Sequence, residues 1–443
     1  MNFNSFQFLV FFPVVLLIHR FVPSKYKWIP LLVSSYYFYM SWNPWLVTLI
    51  LGTTAVSYLS ALGIEKSKAK GARVALLTLT LIASLGTLFV FKYMNFFLGT
   101  SFEIILPIGI SFYTFQTLSY VIDVYKKEFP AERHFGYYAL FVSFFPQLVA
   151  GPIERPNDLL PQLREGKKAS HEDLRTGFEI MVQGFFKKVV ISDIIGSSVD
   201  KVFSSPTEAE GFSVILATVL FGIQIYCDFS GYSEIALGSA KMLGIKLTKN
   251  FDSPYSATSI GDFWRRWHIS LTRWFRDYLY IPLGGNRHGK ARQIINTLIV
   301  FTLSGLWHGA NLTFIIWGLY NGILLVIERF LPKKNYKIPA LILIFFGWFI
   351  FRSPSIPDAL TMISRIFTTW NIPLAVSNMG LTVPRLIIIP LAFIALFLID
   401  RRKEHEDNPI NITVNWFLIL SIAIAWFIGL DTGADNLFIY FQF

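Results

Sequence analysis

Apolar stretches of helical length recur from one end of the chain to the other, separated by short polar connections. A helix that crosses the hydrocarbon core needs about 20 apolar residues, and somewhat shorter helices can be accommodated within a bundle. The pattern therefore predicts an all-α polytopic membrane protein with about eleven or twelve transmembrane helices. The candidate spans are residues 5–18, 29–42, 45–63, 74–97, 107–125, 178–199, 212–238, 293–308, 311–328, 338–352, 385–399 and 412–430.

One further apolar run, 135–150, is followed by Gly151 and Pro152. Irregular backbone at membrane depth must be enclosed by protein, so we expect this run to form a re-entrant helix instead of a full crossing. At the start of the chain, the stretch 6–18 has neither a basic segment before it nor a small-residue cleavage site after it. We therefore expect it to be retained as the first membrane segment.

Lysine and arginine are concentrated in alternate connections between the predicted spans. These basic connections are 65–73, 126–133, 164–175, 241–292, 329–337 and 400–407. The intervening connections 98–106, 204–211 and 431–436 contain no lysine or arginine, and 353–384 contains only Arg365. Basic loops remain on the cytoplasmic side of a membrane. The alternation predicts a protein of the cytoplasmic (inner) cell membrane with both termini extracytoplasmic.

The composition agrees with lipid as the main surroundings of the protein. Hydrophobic residues make up 53% of the chain and charged residues 15%, whereas about a quarter of a soluble domain is charged. The formal net charge of +11 is what basic cytoplasmic loops produce, and we expect no nucleic-acid partner. The single cysteine, Cys227, excludes a disulfide framework and a metal site built from several thiolates, and we expect no metal.

The connection 241–292 is long and basic, with ten lysines and arginines against three aspartates. Within it, residues 260–280 predict an amphipathic helix, because large apolar side chains recur at steps of three and four. These side chains are Trp264, Trp267, Leu271, Trp274 and Tyr278. Two interpretations fit equally well: an anchor in the lipid headgroups, or a positively charged entrance for a polyanionic ligand such as a nucleotide-bearing cofactor.

Two histidines stand out from the rest. His308 lies between two predicted spans, and ionisable residues at membrane depth are costly and therefore functional candidates. His268 lies between Trp267 and Ile269, a setting that is more typical of a packed side chain. Because no serine-nucleophile, phosphate-loop, zinc-protease or dinucleotide motif is found, general-base chemistry by histidine remains. That chemistry needs a hydroxyl substrate and an activated partner.

Six ordered sequence blocks resemble the membrane-bound O-acyltransferase family, in particular its bacterial polysaccharide O-acetylase branch. The blocks are 107–116 (PIGISFYTFQ), 145–153 (FPQLVAGPI), 250–255 (NFDSPY), 262–271 (DFWRRWHISL), 275–287 (FRDYLYIPLGGNR) and 304–310 (SGLWHGA). The closing run 438–443 (FIYFQF) is similar to the same branch. Since the blocks are distributed over nearly the whole chain, we expect one integral membrane domain over 1–443. Within it we expect N-terminal helices at 1–130, a catalytic core at 131–330 and C-terminal helices at 331–443.

The resemblance implies a ring of helices around a central tunnel, with His308 as the essential histidine and His268 as a second tunnel histidine. It implies a donor that enters from the cytoplasm and an acceptor hydroxyl on the other side. The block at 281–287 favours acetyl-CoA as the donor. Related teichoic-acid D-alanylation proteins, which take their acyl group from a carrier protein, remain an alternative.

We expect His308 to accept the proton of the acceptor hydroxyl, and His268 to orient the donor carbonyl or to relay the proton. Asn311 could position the imidazole or stabilise an oxyanion, and a turn-capping role fits equally well. Four arginines are candidates for binding the donor phosphates, with lipid headgroups or intraprotein pairing as the alternative in each case. They are Arg265, Arg266, Arg273 and Arg276.

The resemblance also implies partners. The acceptor is expected to be an exported polysaccharide, or an extracytoplasmic acetyltransferase or esterase-like protein that passes the acetyl group on. The aromatic run 438–443 is a candidate docking site for such a protein, or an aromatic anchor in the membrane interface. Two other classes remain open on the residues alone: a glycan transporter or flippase, and a scaffold that recruits a soluble acetylase.

Overall fold

A computed structural model describes residues 1–149, 151–332, 335–405 and 416–424 of the chain. Within these ranges the secondary structure is helical and no strand is present. The prediction of an all-α protein is confirmed. The run 438–443 lies outside the described residues.

The helices are numbered here in chain order. They are α1 (Phe6–Phe21), α2 (Trp28–Met40), α3 (Val47–Lys66), α4 (Lys70–Leu88), α5 (Met94–Leu98), α6 (Ile110–Lys126), α7 (Phe135–Ser143), α8 (Phe145–Leu148), α9 (Pro156–Glu165), α10 (His171–Phe185), α11 (Asp193–Ser204), α12 (Gly211–Met242), α13 (Ile260–Arg266), α14 (Ile269–Phe275), α15 (Gly289–His308), α16 (Leu312–Glu328), α17 (Lys337–Arg352), α18 (Ile356–Thr368), α19 (Ile372–Asn378) and α20 (Val383–His405). Residues 416–424 are also helical. Three π-helical turns continue α4, α10 and α14, at Phe89–Tyr93, Phe186–Ser192 and Arg276–Tyr280.

Every predicted span coincides with helical structure, and for 412–430 this holds for the part that the structure describes. Three described helical stretches are long and apolar enough to cross a bilayer, namely Pro44–Lys66, Lys70–Leu98 and Gly211–Met242. Phe6–Phe21 and Leu312–Glu328 are shorter apolar helices. The protein is a multi-pass membrane protein, and the expected number of crossings stays a prediction.

The described chain divides into two compact units. The first consists of Met1–Met181 and Tyr232–Asn250, and the second of Val182–Gly231 with the described part of Phe251–Phe443. Both histidines of interest and all four candidate arginines belong to the second unit. The domain boundaries expected from the sequence stay a prediction.

In the first unit, the described part of the apolar run 135–150 is interrupted, and its expected re-entrant path stays a prediction. Phe144 separates α7 from the single turn α8, and the side chains of α8 are buried. The break leaves carbonyl oxygens without helical partners. Gln116 and Gln147 both donate to the carbonyl oxygen of Phe141, at 2.7 and 2.9 Å. Side-chain amides thus replace part of the missing backbone pairing.

In the second unit, α15 and α16 form a closely packed hairpin. Gly305 of α15 lies against Gly318 of α16, and a Cβ added to Gly305 would come within 3.1 Å of the Gly318 Cα and would also meet the carbonyl oxygen of Phe314. Only glycine permits this backbone approach. The hairpin fixes the end of α15, where His308 lies.

The single amphipathic helix predicted for 260–280 is wrong. Helix α13 ends at Arg266, α14 begins at Ile269, and His268 between them adopts φ 44° and ψ 54°. This left-handed conformation is uncommon for a residue other than glycine and ends the helical hydrogen-bond pattern. At the break, the indole of Trp267 is buried. Its ring centroid lies 4.7 Å from that of Trp348 and 5.1 Å from that of Phe251.

Candidate active site

His308 is the last residue of α15, and aromatic rings surround its side chain. The side chain is buried, with 4% of its surface exposed. Its ring centroid lies 5.2 Å from Trp317 of α16, 5.4 Å from Phe351 of α17 and 5.1 Å from the neighbouring Trp307. All three rings are close to perpendicular to the imidazole, an arrangement that aromatic pairs favour. The position of the imidazole is therefore restricted on several sides.

The sequence following His308 shapes this enclosure. Gly309 is extended, and a Cβ at this position would collide with the ring of Phe314. Helix α16 then begins after Asn311. The glycines of the SGLWHGA block therefore act by leaving room for their neighbours. Gly305 allows the two helices to approach, and Gly309 accommodates the ring of Phe314.

His268 occupies the break between α13 and α14 and is also buried, with 2% of its surface exposed. Its ring lies 4.7 Å from Phe229 of α12 and 5.9 Å from Trp307. Trp307 thus contacts both histidines. A second line of aromatic contacts connects the two places, from Trp267 through Trp348 and Trp317 to His308. The structure therefore brings together the two histidines that the sequence singles out.

Burial determines the charge of His268, which lies outside the membrane-spanning helices. Desolvation lowers the pKa of its imidazole from 6.5 to about 3. The side chain is therefore neutral at physiological pH. A neutral imidazole can donate one hydrogen bond and accept another, but it supplies no positive charge.

The four candidate arginines lie in the same segment, within residues 265–276. Arg265 and Arg266 both pair with Asp262, at 3.3 and 3.2 Å. Arg276 pairs with its neighbour Asp277 at 2.7 Å, and Arg273 is half-buried. The intraprotein pairing considered above is therefore present for Arg265, Arg266 and Arg276.

Exposure separates these arginines further. The side chains of Arg265 and Arg276 remain 72% and 60% exposed, against 28% for Arg266. Exposed ion pairs are weak, so both guanidinium groups can exchange their carboxylate for another anion at little cost. Arg265 and Arg276 are the better placed to meet a dissolved ligand.

Asn311 is a capping residue in this structure. Its side-chain oxygen accepts a hydrogen bond from the Thr313 N–H at 3.1 Å, and its amide donates to the Pro354 carbonyl at 2.8 Å. Asparagine is among the preferred residues at the start of a helix for this reason. These hydrogen bonds match the turn-capping role that was considered for Asn311.

A buried group of charges is the main feature that the sequence analysis missed. Lys187 and Lys188, in the π-helical turn after α10, are both buried. Lys188 lies 2.6 Å from Asp228 and 2.8 Å from Asp193. Two lysines inside an apolar stretch are themselves a signal, since buried charges need partners. The sequence alone does not identify those partners.

The second lysine has its own acceptor. Lys187 lies 3.5 Å from Asp400 of α20, which also accepts a hydrogen bond from the Tyr226 hydroxyl at 2.7 Å. Within the described ranges, no group of three or more histidine, cysteine, aspartate or glutamate residues could hold a metal ion. The expected absence of a metal stays a prediction.

The second unit thus holds two buried histidines whose rings both contact Trp307. Residues 126–356 match the sequence profile of the membrane-bound O-acyltransferase family, and the chain belongs to this family. The resemblance drawn from the sequence blocks is confirmed. The protein is an O-acyltransferase.

Three relatives illustrate the range of the family. The chain is 36% identical to the probable alginate O-acetylase AlgI of Pseudomonas putida, over 99% of both chains. It is 36% identical to the peptidoglycan O-acetyltransferase of Helicobacter pylori, over 75% of this chain and 72% of that one. It is 31% identical to the teichoic acid D-alanyltransferase of Bacillus subtilis, over 52% and 60%.

Proposed function

We propose that the protein transfers an acetyl group from acetyl-CoA in the cytoplasm to a hydroxyl of an extracytoplasmic polysaccharide or relay protein. The observation that carries this proposal is that the rings of His268 and His308 both contact the indole of Trp307. The site lies inside the region that matches the acyltransferase family. On this proposal the protein is in the inner membrane with extracytoplasmic termini, as the loop charges favour.

The choice of an acetyl group rests on the relatives. The alignment with the alginate O-acetylase extends over nearly the full length of both chains, whereas that with the D-alanyltransferase covers about half of this chain. Transfer of D-alanine from a carrier protein is therefore the alternative. It differs in the donor and can be tested directly.

In the proposed reaction, the acceptor hydroxyl oxygen attacks the thioester carbonyl carbon. The new C–O bond forms and the C–S bond breaks, so the products are an O-acetyl ester and the free thiol of coenzyme A. His308 accepts the hydroxyl proton and returns it to the departing thiolate. The C-terminal end of α15 carries partial negative charge, which stabilises the imidazolium that exists between these two steps.

The aromatic enclosure contributes by restricting geometry. Trp317 and Phe351 hold the imidazole of His308 at one place, and a base held in position can supply a large part of the acceleration in a reaction between two bound groups. His268, being neutral, donates a hydrogen bond to the donor carbonyl or relays a proton. Its left-handed backbone is a strained conformation of the kind found at functional sites.

The arginines act at an earlier stage. Arg265 and Arg276 present charge to the surroundings, with Arg266 and Arg273 beside them, and attract the phosphates of coenzyme A. Asn311 supports the start of α16 and so acts on the site only through the fold. An extracytoplasmic esterase-like partner would receive the acetyl group if the polysaccharide is not the direct acceptor.

The experiment uses purified protein in liposomes, with radiolabelled acetyl-CoA on one side and alginate or peptidoglycan oligosaccharides on the other. We expect thiol release and labelled acceptor with acetyl-CoA. Turnover only with a D-alanyl carrier protein would establish the alternative donor. Translocation of a labelled glycan without any donor turnover would contradict the proposal and favour a flippase.

A further inference from the structure

Lys187 and Lys188 are buried side by side at a place where the helix is widened. Helix α10 continues as the π-helical turn Phe186–Ser192, which precedes α11. Such turns are rare and are often found at functional sites. Burying an ion pair is costly and seldom stabilises a protein more than apolar packing would. The pairing of these lysines therefore calls for a role other than stability.

Lys188 connects the π-helical turn to α12. Its ammonium group lies between Asp228 of α12, at 2.6 Å, and Asp193, five residues further along its own helix, at 2.8 Å. Gly231 permits the approach of the two segments, because a Cβ there would lie 3.0 Å from the backbone nitrogen of Lys188. The ion pair with Asp228 is thus the polar part of a close helix contact.

Aromatic residues of α12 near Asp228 contact the break between α13 and α14, which contains Trp267 and His268. Phe229 directly follows Asp228, and its ring is perpendicular to that of His268 at 4.7 Å. Tyr226 is held by its hydrogen bond to Asp400 and lies 6.1 Å from Trp267 between ring centroids. Each buried lysine is therefore linked, through an aspartate, to an aromatic ring against residue 267 or 268.

We infer that Lys188 and Asp228 are positioning residues that fix α12 so that Phe229 holds His268 in its buried, left-handed conformation. The consequence for acyl transfer rests on the proposed function, whereas the consequence for His268 itself does not. A role in general stability alone would give Asp193 and Asp228 equal weight, since both bind the same ammonium group. The inference gives weight to Asp228, because only Asp228 adjoins Phe229.

The test compares Asp228→Asn with the matched control Asp193→Asn in the full-length protein. Either variant leaves Lys188 with one carboxylate. The first measurement is the rate at which diethyl pyrocarbonate modifies His268, read by peptide mass spectrometry with exposed His171 as the internal reference. We expect a several-fold faster modification of His268 in Asp228→Asn and an unchanged rate in Asp193→Asn.

The second measurement is acetyl transfer by the same preparations. We expect Asp228→Asn to lower kcat by about 10- to 100-fold, because small displacements of positioned groups have effects of this size, and to leave the donor KM unchanged. Phe229→Leu should reproduce this effect, and the double variant should be no worse than either single one, as residues acting in one chain of contacts are not additive. Asp193→Asn should keep wild-type kcat.

Unchanged protection of His268 in Asp228→Asn, or equal exposure in both variants, would overturn the inference. If Asp228→Asn does not accumulate as folded protein, Asp228→Glu replaces it, since that variant keeps the charge and displaces the carboxylate by one methylene. A different outcome is possible: His268 is exposed in Asp228→Asn and not in Asp193→Asn, while the wild-type protein itself turns over no acyl donor. That outcome would support the positioning role and contradict the proposed function. The two failures are therefore distinguishable.

Discussion

The imidazole of His308 and the indole of Trp317 lie perpendicular to one another with their centres 5.2 Å apart. His308 ends α15 and Trp317 lies on α16, so this contact connects the two helices of the hairpin at the candidate base. The geometry of the candidate base therefore depends on how the hairpin packs.

Replacing Trp317 by leucine should remove a ring that confines His308. We expect kcat to fall by about 10- to 100-fold, because the imidazole can then occupy unproductive positions. Trp317→Phe should retain most of the activity, since it keeps an aromatic ring at this place. Steady-state rates of thiol release measure both. Trp45→Leu, at a tryptophan that is 80% exposed in the first unit, is the control and should behave as wild type. Equal rates for Trp317→Leu and wild type would contradict the prediction.

Gly305→Ala should separate α15 from α16. The added methyl group would meet the backbone of Gly318 and Phe314, and overpacking of this kind typically costs about 1–3 kcal/mol. We expect a lower Tm in detergent and a loss of acyl transfer. The matched control is Gly86→Ala, because a Cβ on that helical glycine meets nothing within 4 Å. Because alanine favours a helix more than glycine does, Gly86→Ala should not lower the Tm. A fall in Tm of the same size in both variants would contradict the assignment of the effect to the close packing at Gly305.

The buried His268 should make the protein sensitive to mild acid. Its pKa is about 3 in the folded protein against 6.5 when exposed, so the unfolded chain binds more protons between these values. The free energy of unfolding should therefore decrease as the pH falls below about 6.5, by about 2 kcal/mol at pH 5 from this group alone. His268→Gln removes the group that titrates, and its Tm should change less between pH 7 and pH 5. An identical pH dependence of Tm in variant and wild type would count against the buried neutral state.

The exposed arginines should act on donor binding and not on the chemical step. We expect the double variant Arg265→Gln/Arg276→Gln to raise the donor KM several-fold with kcat unchanged, because the positive charge attracts the donor before reaction. Higher salt should reduce the difference between variant and wild type. Lys70→Gln, at an exposed lysine of the first unit, is the control. An unchanged KM in the double variant would assign these arginines to lipid or intraprotein pairing.

The sequence predicts helix positions well because a membrane helix needs a continuous apolar stretch, and such stretches are visible without any partner. Local composition and the family blocks also make His308 and His268 candidates for the site, and their roles stay a prediction. The break at Trp267 and His268 is not predictable in this way, since the 3.6-residue periodicity of large apolar side chains continues across it. The buried ring of His268 packs against Phe229, which is distant in sequence.

The charges around Lys188 illustrate the same limit. Two adjacent lysines within 178–199 indicate that buried partners must exist, but Asp228 and Asp400 are brought to them only by the packing of α12 and α20. For Asn311, by contrast, the capping role could be proposed from the local sequence, because its partner Thr313 is only two residues further along the chain. A hydrogen bond between residues close in sequence can be predicted from the sequence, whereas the partners of an ion pair between distant segments cannot.

The most direct test of the central claim is the rate of acetyl transfer by His308→Ala in liposomes, compared with wild type and with His171→Ala at an exposed histidine. If His308 is the base, His308→Ala should lose nearly all thiol release and labelled acceptor, while its Tm and the activity of His171→Ala stay close to those of wild type. Wild-type transfer by folded His308→Ala would contradict the account.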